Sequence, residues 1–152
     1  MKCIECGTQT NDRLLDRELM VELPYRVVLR DSPAAVCPKC GEEYVGIQSP
    51  TETFLGLAQW IAKRPGRLHC SEVRFIRNAL AWTQEQLGRK LGVAPETVSR
   101  WENGKKPVGY QSELALRFLV LVGSEVADQL DSTQDTPTKV EIGPGEEVRA
   151  AS

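Results

Sequence analysis

The chain is 152 residues long, 41% hydrophobic and 26% charged, with a formal net charge of -2. That length can bury a core but is long for one small domain, so two modules and a tail are expected. No apolar run approaches the roughly 18 residues of a membrane span, and the N-terminus MKCIECG lacks the charged-then-apolar shape of a secretory signal, so a cytosolic protein is expected.

Residues 1–49 are marked by four of the five cysteines: Cys3 and Cys6 in CIEC, then Cys37 and Cys40 in CPKCG, with 30 residues between the pairs. Each C-x2-C places two thiolates on a tight knuckle, and two knuckles complete a tetrahedral sulfur shell suited to one structural zinc ion. A module this small has little core of its own, so the metal would supply much of its folding free energy. A closed shell of four cysteines leaves no position for a reactive water, which argues against an enzyme built on metal-assisted hydrolysis. Disulfides, a redox dithiol and a rubredoxin-like iron site are the competing readings, and a cytosolic chain with paired knuckles favours zinc over each. Between the pairs, Val21, Leu23, Tyr25, Val27 and Leu29 alternate as in a half-buried strand broken near Pro24. The expectation is a zinc-ribbon-like β unit.

Residues 50–70 read as a helical linker and hinge. Ser49-Pro50 opens a helix over 50–63 with Phe54, Leu57, Ala58 and Ile61 on one side, and Pro65-Gly66 stops it. Cys70, beside the only histidine, His69, reads as an inert linker cysteine in preference to a spare ligand or redox-sensitive thiol.

Residues 71–131 read as a five-helix domain. Ser71 is expected to cap a first helix carrying Val73, Ile76 and Leu80. The stretch Thr83 to Gly104, TQEQLGRKLGVAPETVSRWENG, then places Leu87 and Leu91 one turn apart, Val93 in a turn, and Val98 and Trp101 on a following helix. Thr83 and Gln86 form a capping box, Trp82 and Leu87 are spaced as a hydrophobic staple, Gly92 ends the first helix and Pro95 begins the second. This is the pattern of a helix-turn-helix. Gln111 to Val122 and a short helix near Val126 and Leu130 complete the domain. Residues 132–152 are polar, acidic and broken by proline and glycine, and are expected to be disordered.

With the apolar positions turned inward, Glu96, Thr97, Ser99, Arg100 and Asn103 face outward, with Lys105 and Lys106 beyond them. In such a motif the second helix enters the major groove. Arg100 suits a base contact, because its fork bonds both acceptors of guanine; Gln84, Thr97, Ser99, Asn103, Lys105 and Lys106 suit phosphates. The overall charge does not oppose this. Residues 71–111 hold seven Lys or Arg against four Asp or Glu, whereas 124–152 hold two against seven. One recognition helix spans few base pairs, so a homodimer on a palindromic double-stranded operator is expected, with LALRFLVLVG as a candidate interface.

The stretch from Thr83 to Gly104 resembles the lambda-repressor-like, or XRE, family of helix-turn-helix domains. The resemblance implies that Gln84 touches a phosphate, that Glu96, Thr97, Ser99 and Arg100 face the groove, and that Arg77 and Glu102 form a structural ion pair. Glu96 departs from the neutral amide many relatives carry.

The order of the modules, over residues 1 to about 130, resembles the MqsA family of type II antitoxins with a YgiT-type zinc finger. That resemblance implies an α+β multidomain protein: an N-terminal zinc module bound by Cys3, Cys6, Cys37 and Cys40, and a C-terminal all-α DNA-binding domain. It further implies a repressor of its own operon whose zinc module neutralises a toxin, usually an mRNA-cleaving endoribonuclease. The alternative is a stand-alone zinc-containing regulator of the same DNA-binding class with no toxin partner.

Overall fold

The computed structural model describes residues 1–47 and 49–123, with two further strand segments at 139–142 and 148–151. The N-terminal module is a three-stranded antiparallel meander of β1 (Asn11–Leu19), β2 (Val27–Val36) and β3 (Glu43–Val45), in that spatial order. Asn11 pairs with Val36 and Leu19 with Val27, but the register slips between Leu15 and Arg17. The slip is a bulge in β2: Asp31 takes a left-handed φ of 50° and donates its N–H to the Asp16 carboxylate at 3.1 Å. A short polar side chain that captures a nearby amide is what makes such a conformation tolerable.

This differs from the single strand expected over Val21 to Leu29. Pro24 cannot donate to a ladder, and the N–H groups of Val21 and Leu23 are spent on the carbonyls of Leu19 and Val21 in successive tight turns. Residues 20–26 are therefore the connection between β1 and β2. The apolar residues within it are used elsewhere: Leu23 packs against the helical core, and Tyr25 meets Trp60 edge to face at 5.8 Å.

Five helices follow among the described residues: α1 (Pro50–Lys63), α2 (Cys70–Ala79), α3 (Gln84–Leu91), α4 (Pro95–Glu102) and α5 (Tyr110–Val122). One core joins them, built from Ala58, Ile61 and Ala62 of α1, Val73 and Ile76 of α2, Leu87, Val98, Trp101, and Leu116 and Val120 of α5. Each fully buried Ile or Leu there contributes roughly 1.5–3 kcal/mol. The helix assigned from sequence to a linker thus lies inside the helical domain, because its Ala58–Ile61–Ala62 face is covered on both sides by α2 and α5. The expected hinge is also tied down. Arg117 donates Nη1 to the carbonyls of Ala62 and Arg64 and Nη2 to that of Gly66 at 2.5 Å, closing the C-terminal end of α1.

The N-cap of α2 is His69 and not Ser71. Its ring Nδ1 accepts from the Ser71 amide, while the Glu72 carboxylate accepts from the His69 N–H at 2.7 Å. At the other end Ala81 stands at a φ of 56°, with its own N–H on the Asn78 carbonyl and that of Trp82 on the Arg77 carbonyl. This is a Schellman turn with alanine in the place glycine favours.

The short helix expected near Val126 and Leu130 lies outside the described residues. So does most of the expected disordered tail, except that β4 (Lys139–Ile142) and β5 (Val148–Ala151) pair antiparallel, Lys139 opposite Ala151.

Candidate nucleic-acid interface and metal centre

The helix-turn-helix is set by its punctuation. The Gln86 amide donates to Thr83 Oγ1 at 3.1 Å, and the Thr83 amide donates to Gln86 Oε1 at 2.8 Å, so α3 begins on a reciprocal capping box. Gly92 ends α3 at a φ of 66°, and the turn then folds so closely over Gly88 that an added Cβ would stand 2.6 Å from the Val93 carbonyl oxygen. That approach fixes the angle at which α4 leaves α3. Val98 and Trp101 are buried beneath α4, while Glu96, Arg100 and Asn103 are exposed on its other side and Thr97 and Ser99 are half-buried. Past Gly104, the amides of Lys105 and Lys106 both return to the Arg100 carbonyl, which keeps two exposed lysines beside the end of α4.

Glu102 is the internal anchor of this face. Its buried carboxylate accepts from Arg77 Nε at 2.5 Å and Nη2 at 3.1 Å, and from Gln84 Nε2 at 2.9 Å. One carboxylate therefore joins α2, the start of α3 and the end of α4. Gln84 spends one amide proton on this contact, which leaves the other for an outside acceptor. Asn103 is similarly engaged: its carbonyl oxygen accepts from Arg74 at 2.9 Å, and its amide donates to Ser99 Oγ. The exposed cations on the face are Arg100, Lys105 and Lys106.

Two other buried carboxylates escaped the sequence reading. Glu72 accepts from Arg64, from the His69 amide and from the Tyr25 hydroxyl. Glu113 accepts from Arg67 at 2.5 Å, from Arg117 at 2.9 Å and from the Leu68 amide at 3.1 Å. Burial alone would raise both carboxyls, but their guanidinium and amide donors outweigh it and hold both below the ordinary value. Spacing pairs only Glu113 with Arg117 at i,i+4 and Glu72 with the His69 amide at the N-cap; the partners Arg64, Arg67, Leu68 and Tyr25 sit on other elements and left no local signal.

The four cysteines of the N-terminal module converge. Their sulfurs all lie within 4.8 Å of one another, with Cys3 to Cys40 at 3.5 Å, Cys6 to Cys37 at 3.4 Å and Cys6 to Cys40 at 3.7 Å. These separations are far too long for S–S bonds, and they lie close to the edge of about 3.8 Å that a zinc–sulfur distance of about 2.3 Å gives a tetrahedron. The donor set and its geometry fit a tetrathiolate ion. Both knuckles are built alike. The Gly7 N–H returns to the Cys3 carbonyl and the Gly41 N–H to that of Cys37, with both glycines left-handed at φ 71° and 76°. The repeated C-x2-C-G was readable in the sequence as this turn.

Two hydroxyls that the sequence reading passed over reach the sulfurs: Tyr44 lies 3.2 Å from Cys3 Sγ, and Thr8 Oγ1 lies 3.4 Å from Cys6 Sγ. The Tyr44 hydroxyl is the largest influence holding the Cys3 thiol down at about 6. At Cys37 the Cys40 amide also acts downward. At Cys40 the Glu42 amide pulls downward but is outweighed by the neighbouring sulfurs, and the thiol rises to about 12. Four sulfurs this close do not all ionise unless a cation shares their charge. Cys70 is not among them; it is half-buried beside His69, under Gly104.

Two short helices locked at Gly88, with Arg100 exposed on the second and Lys105 and Lys106 just past its end, have the architecture of a helix-turn-helix. Consistent with that geometry, residues 73–110 match a family described as Helix-turn-helix, so this segment is a helix-turn-helix domain of the XRE-like kind. No curated protein matches the chain. Among the described residues, no helix is long and apolar enough to cross a membrane.

Proposed function

We propose that this chain is a sequence-specific, double-stranded-DNA-binding transcriptional regulator of the cytoplasm, without catalytic activity, that works as a homodimer on a palindromic operator. The observation that carries the reading is the two-sided character of α4: Val98 and Trp101 anchor it while Arg100 stands exposed opposite them. Arg100 reads a base, Glu96 sits where it meets a cytosine amino group, and Thr97, Ser99, Lys105, Lys106 and Gln84 hold phosphates. Asn103, already bonded to Arg74 and Ser99, acts chiefly by fixing the end of the helix. Dimerisation is supported by an exposed apolar stripe along α5, formed by Tyr110, Leu114, Phe118, Leu121 and Val122.

Within this class the reading is an antitoxin that represses its own operon. Cys3, Cys6, Cys37 and Cys40 hold one zinc ion that keeps the N-terminal module folded, and that module binds the toxin. The order of a four-cysteine module and a helix-turn-helix domain supports it. A stand-alone regulator remains the second reading, favoured by the seam at Tyr25, Trp60 and Glu72 that makes the zinc module part of the DNA-binding body.

Selection of bound duplexes from a random pool tests the DNA reading. A consensus with two-fold symmetry is expected, and Arg100→Ala should weaken it by about 1–3 kcal/mol while blurring one position per half-site. Equal losses on selected and random duplexes would remove Arg100 from base reading. Capture of a neighbouring gene's product by the zinc module, with relief of that product's toxicity, separates antitoxin from stand-alone regulator.

A further inference from the structure

The Tyr44 hydroxyl is placed between two knuckles that are otherwise joined through their sulfurs. Tyr44 belongs to β3, which follows the second knuckle and pairs with β2 through Ala35, yet its oxygen lies 3.2 Å from Cys3 Sγ and 2.9 Å from the Ile4 nitrogen of the first knuckle. A metal-bound thiolate only accepts, and an amide N–H only donates. The direction of the chain is therefore fixed: Ile4 N–H donates to the tyrosine oxygen, whose own O–H donates to the Cys3 sulfur. Hydrogen bonds in such a chain polarise one another.

We infer that Tyr44 is a positioning residue for the metal centre, holding the Cys3 sulfur at its corner of the tetrahedron and withdrawing part of its negative charge. This rests on the reading that the four cysteines hold zinc. A zinc ion with four thiolates carries a net charge of -2, so outer donors are needed where the cluster is not fully solvated. Cys3 is almost fully buried, at 3% exposure, whereas Cys40 is open to water. Cys37 is buried as well, at 1% exposure, and of the two buried sulfurs Cys3 is the one that receives the Tyr44 hydroxyl.

Full-length protein and its Tyr44→Phe variant, both loaded with zinc, test this by competition with a chromophoric chelator. Tyr44→Phe keeps the ring, so the loss expected is that of the hydroxyl: affinity lower by about 10–100-fold, with faster metal release. Cobalt substitution gives a second reading taken only from folded, loaded molecules. Removing the donor makes the sulfur more electron-rich, so the thiolate-to-cobalt absorption should move to longer wavelength. Tyr25→Phe, which removes a tyrosine hydroxyl on Glu72 and not on a sulfur, should leave the cobalt spectrum where it is even where the shared seam lowers metal affinity, so the spectrum separates a donor lost at the sulfur from a fold weakened elsewhere. A Tyr44→Phe variant with unchanged zinc affinity and an unmoved cobalt spectrum would overturn the assignment. Failure of the parent chain to bind one zinc would instead overturn the metal reading beneath it.

Discussion

The Tyr25 hydroxyl donates to Glu72 Oε1 at 2.8 Å, so the connection between β1 and β2 ends on the first turn of α2. Leu23 beside it packs on the helical core, and Arg74 reaches from α2 to Glu22 at 3.3 Å while also holding Asn103 at the end of α4. The two modules share this seam. Tyr25→Phe is expected to lower stability by about 1.5–3 kcal/mol, the usual worth of a hydrogen bond to a charged group, read as a shift in denaturant midpoint at constant slope. An unchanged midpoint would mean that water replaces the hydroxyl without cost.

The same seam sets a pH window. Glu72 and Glu113 have folded values below the ordinary carboxylate value, so their contribution is fully present above it and is lost as pH falls through the folded values. Tyr25 is pushed up to about 12, by burial first and Glu72 second, so the fold favours its protonated form. That contribution is present below the ordinary tyrosine value of 10.0 and is lost as pH rises towards 12. Melting temperature against pH should therefore fall at both ends. Tyr25→Phe should flatten the alkaline fall, and Glu113→Gln should lower neutral stability while flattening the acid one.

Metal removal should act across the seam as well. Chelation is expected to unfold residues 1–49 and to lower the melting temperature of the helices that remain, because Leu23 and Tyr25 leave the helical surface with the module. Circular dichroism should retain most helical signal with the transition moved downward. A DNA-binding fragment that omits the four-cysteine module must begin before α1, since a start after residue 60 deletes Ala58 and exposes the core.

Local chemistry was legible in the sequence, and long-range pairing was not. The capping box at Thr83, the turn at Gly92 and the inward Leu87, Val98 and Trp101 each depend on residues a few positions apart, and their spacing carried the motif. The cysteine pairs were legible for the same reason. β1 was not: NDRLLDREL is rich in charge and poor in β-branched residues, and it is a strand because β2 lies beside it. The alternation from Val21 to Leu29 was real but mixed two causes, the start of β2 and the contact of Leu23 and Tyr25 with the helices. The role of α1 was hidden because an apolar stripe does not say which neighbour will cover it.

Two backbone positions predict changes of opposite sign. Ala81 holds a left-handed conformation that costs an L-residue roughly 1–2 kcal/mol and glycine little, so Ala81→Gly should stabilise the domain by about 1 kcal/mol. Gly88→Ala should do the reverse, because a Cβ at 2.6 Å from the Val93 carbonyl oxygen meets backbone that cannot swing away. Thermal melting of the two variants checks both; a stable Gly88→Ala protein with unaltered DNA binding would mean that the turn has slack.

The apolar stripe on α5 is the surface through which the proposed homodimer would form. Phe118 is 54% exposed and Leu114 49%, one turn apart, while Leu116 and Val120 on the opposite side are buried in the core. Because the core is served by that other side, Phe118→Asp should leave the helical fold intact and place a charge in the centre of the proposed interface. Sedimentation is expected to move from dimer to monomer. Binding to a full palindrome should weaken far more than binding to an isolated half-site, since the second contact is then no longer intramolecular. A Phe118→Asp protein that remains dimeric and binds the palindrome undiminished would assign dimerisation to another surface and leave the stripe on α5 to a different partner.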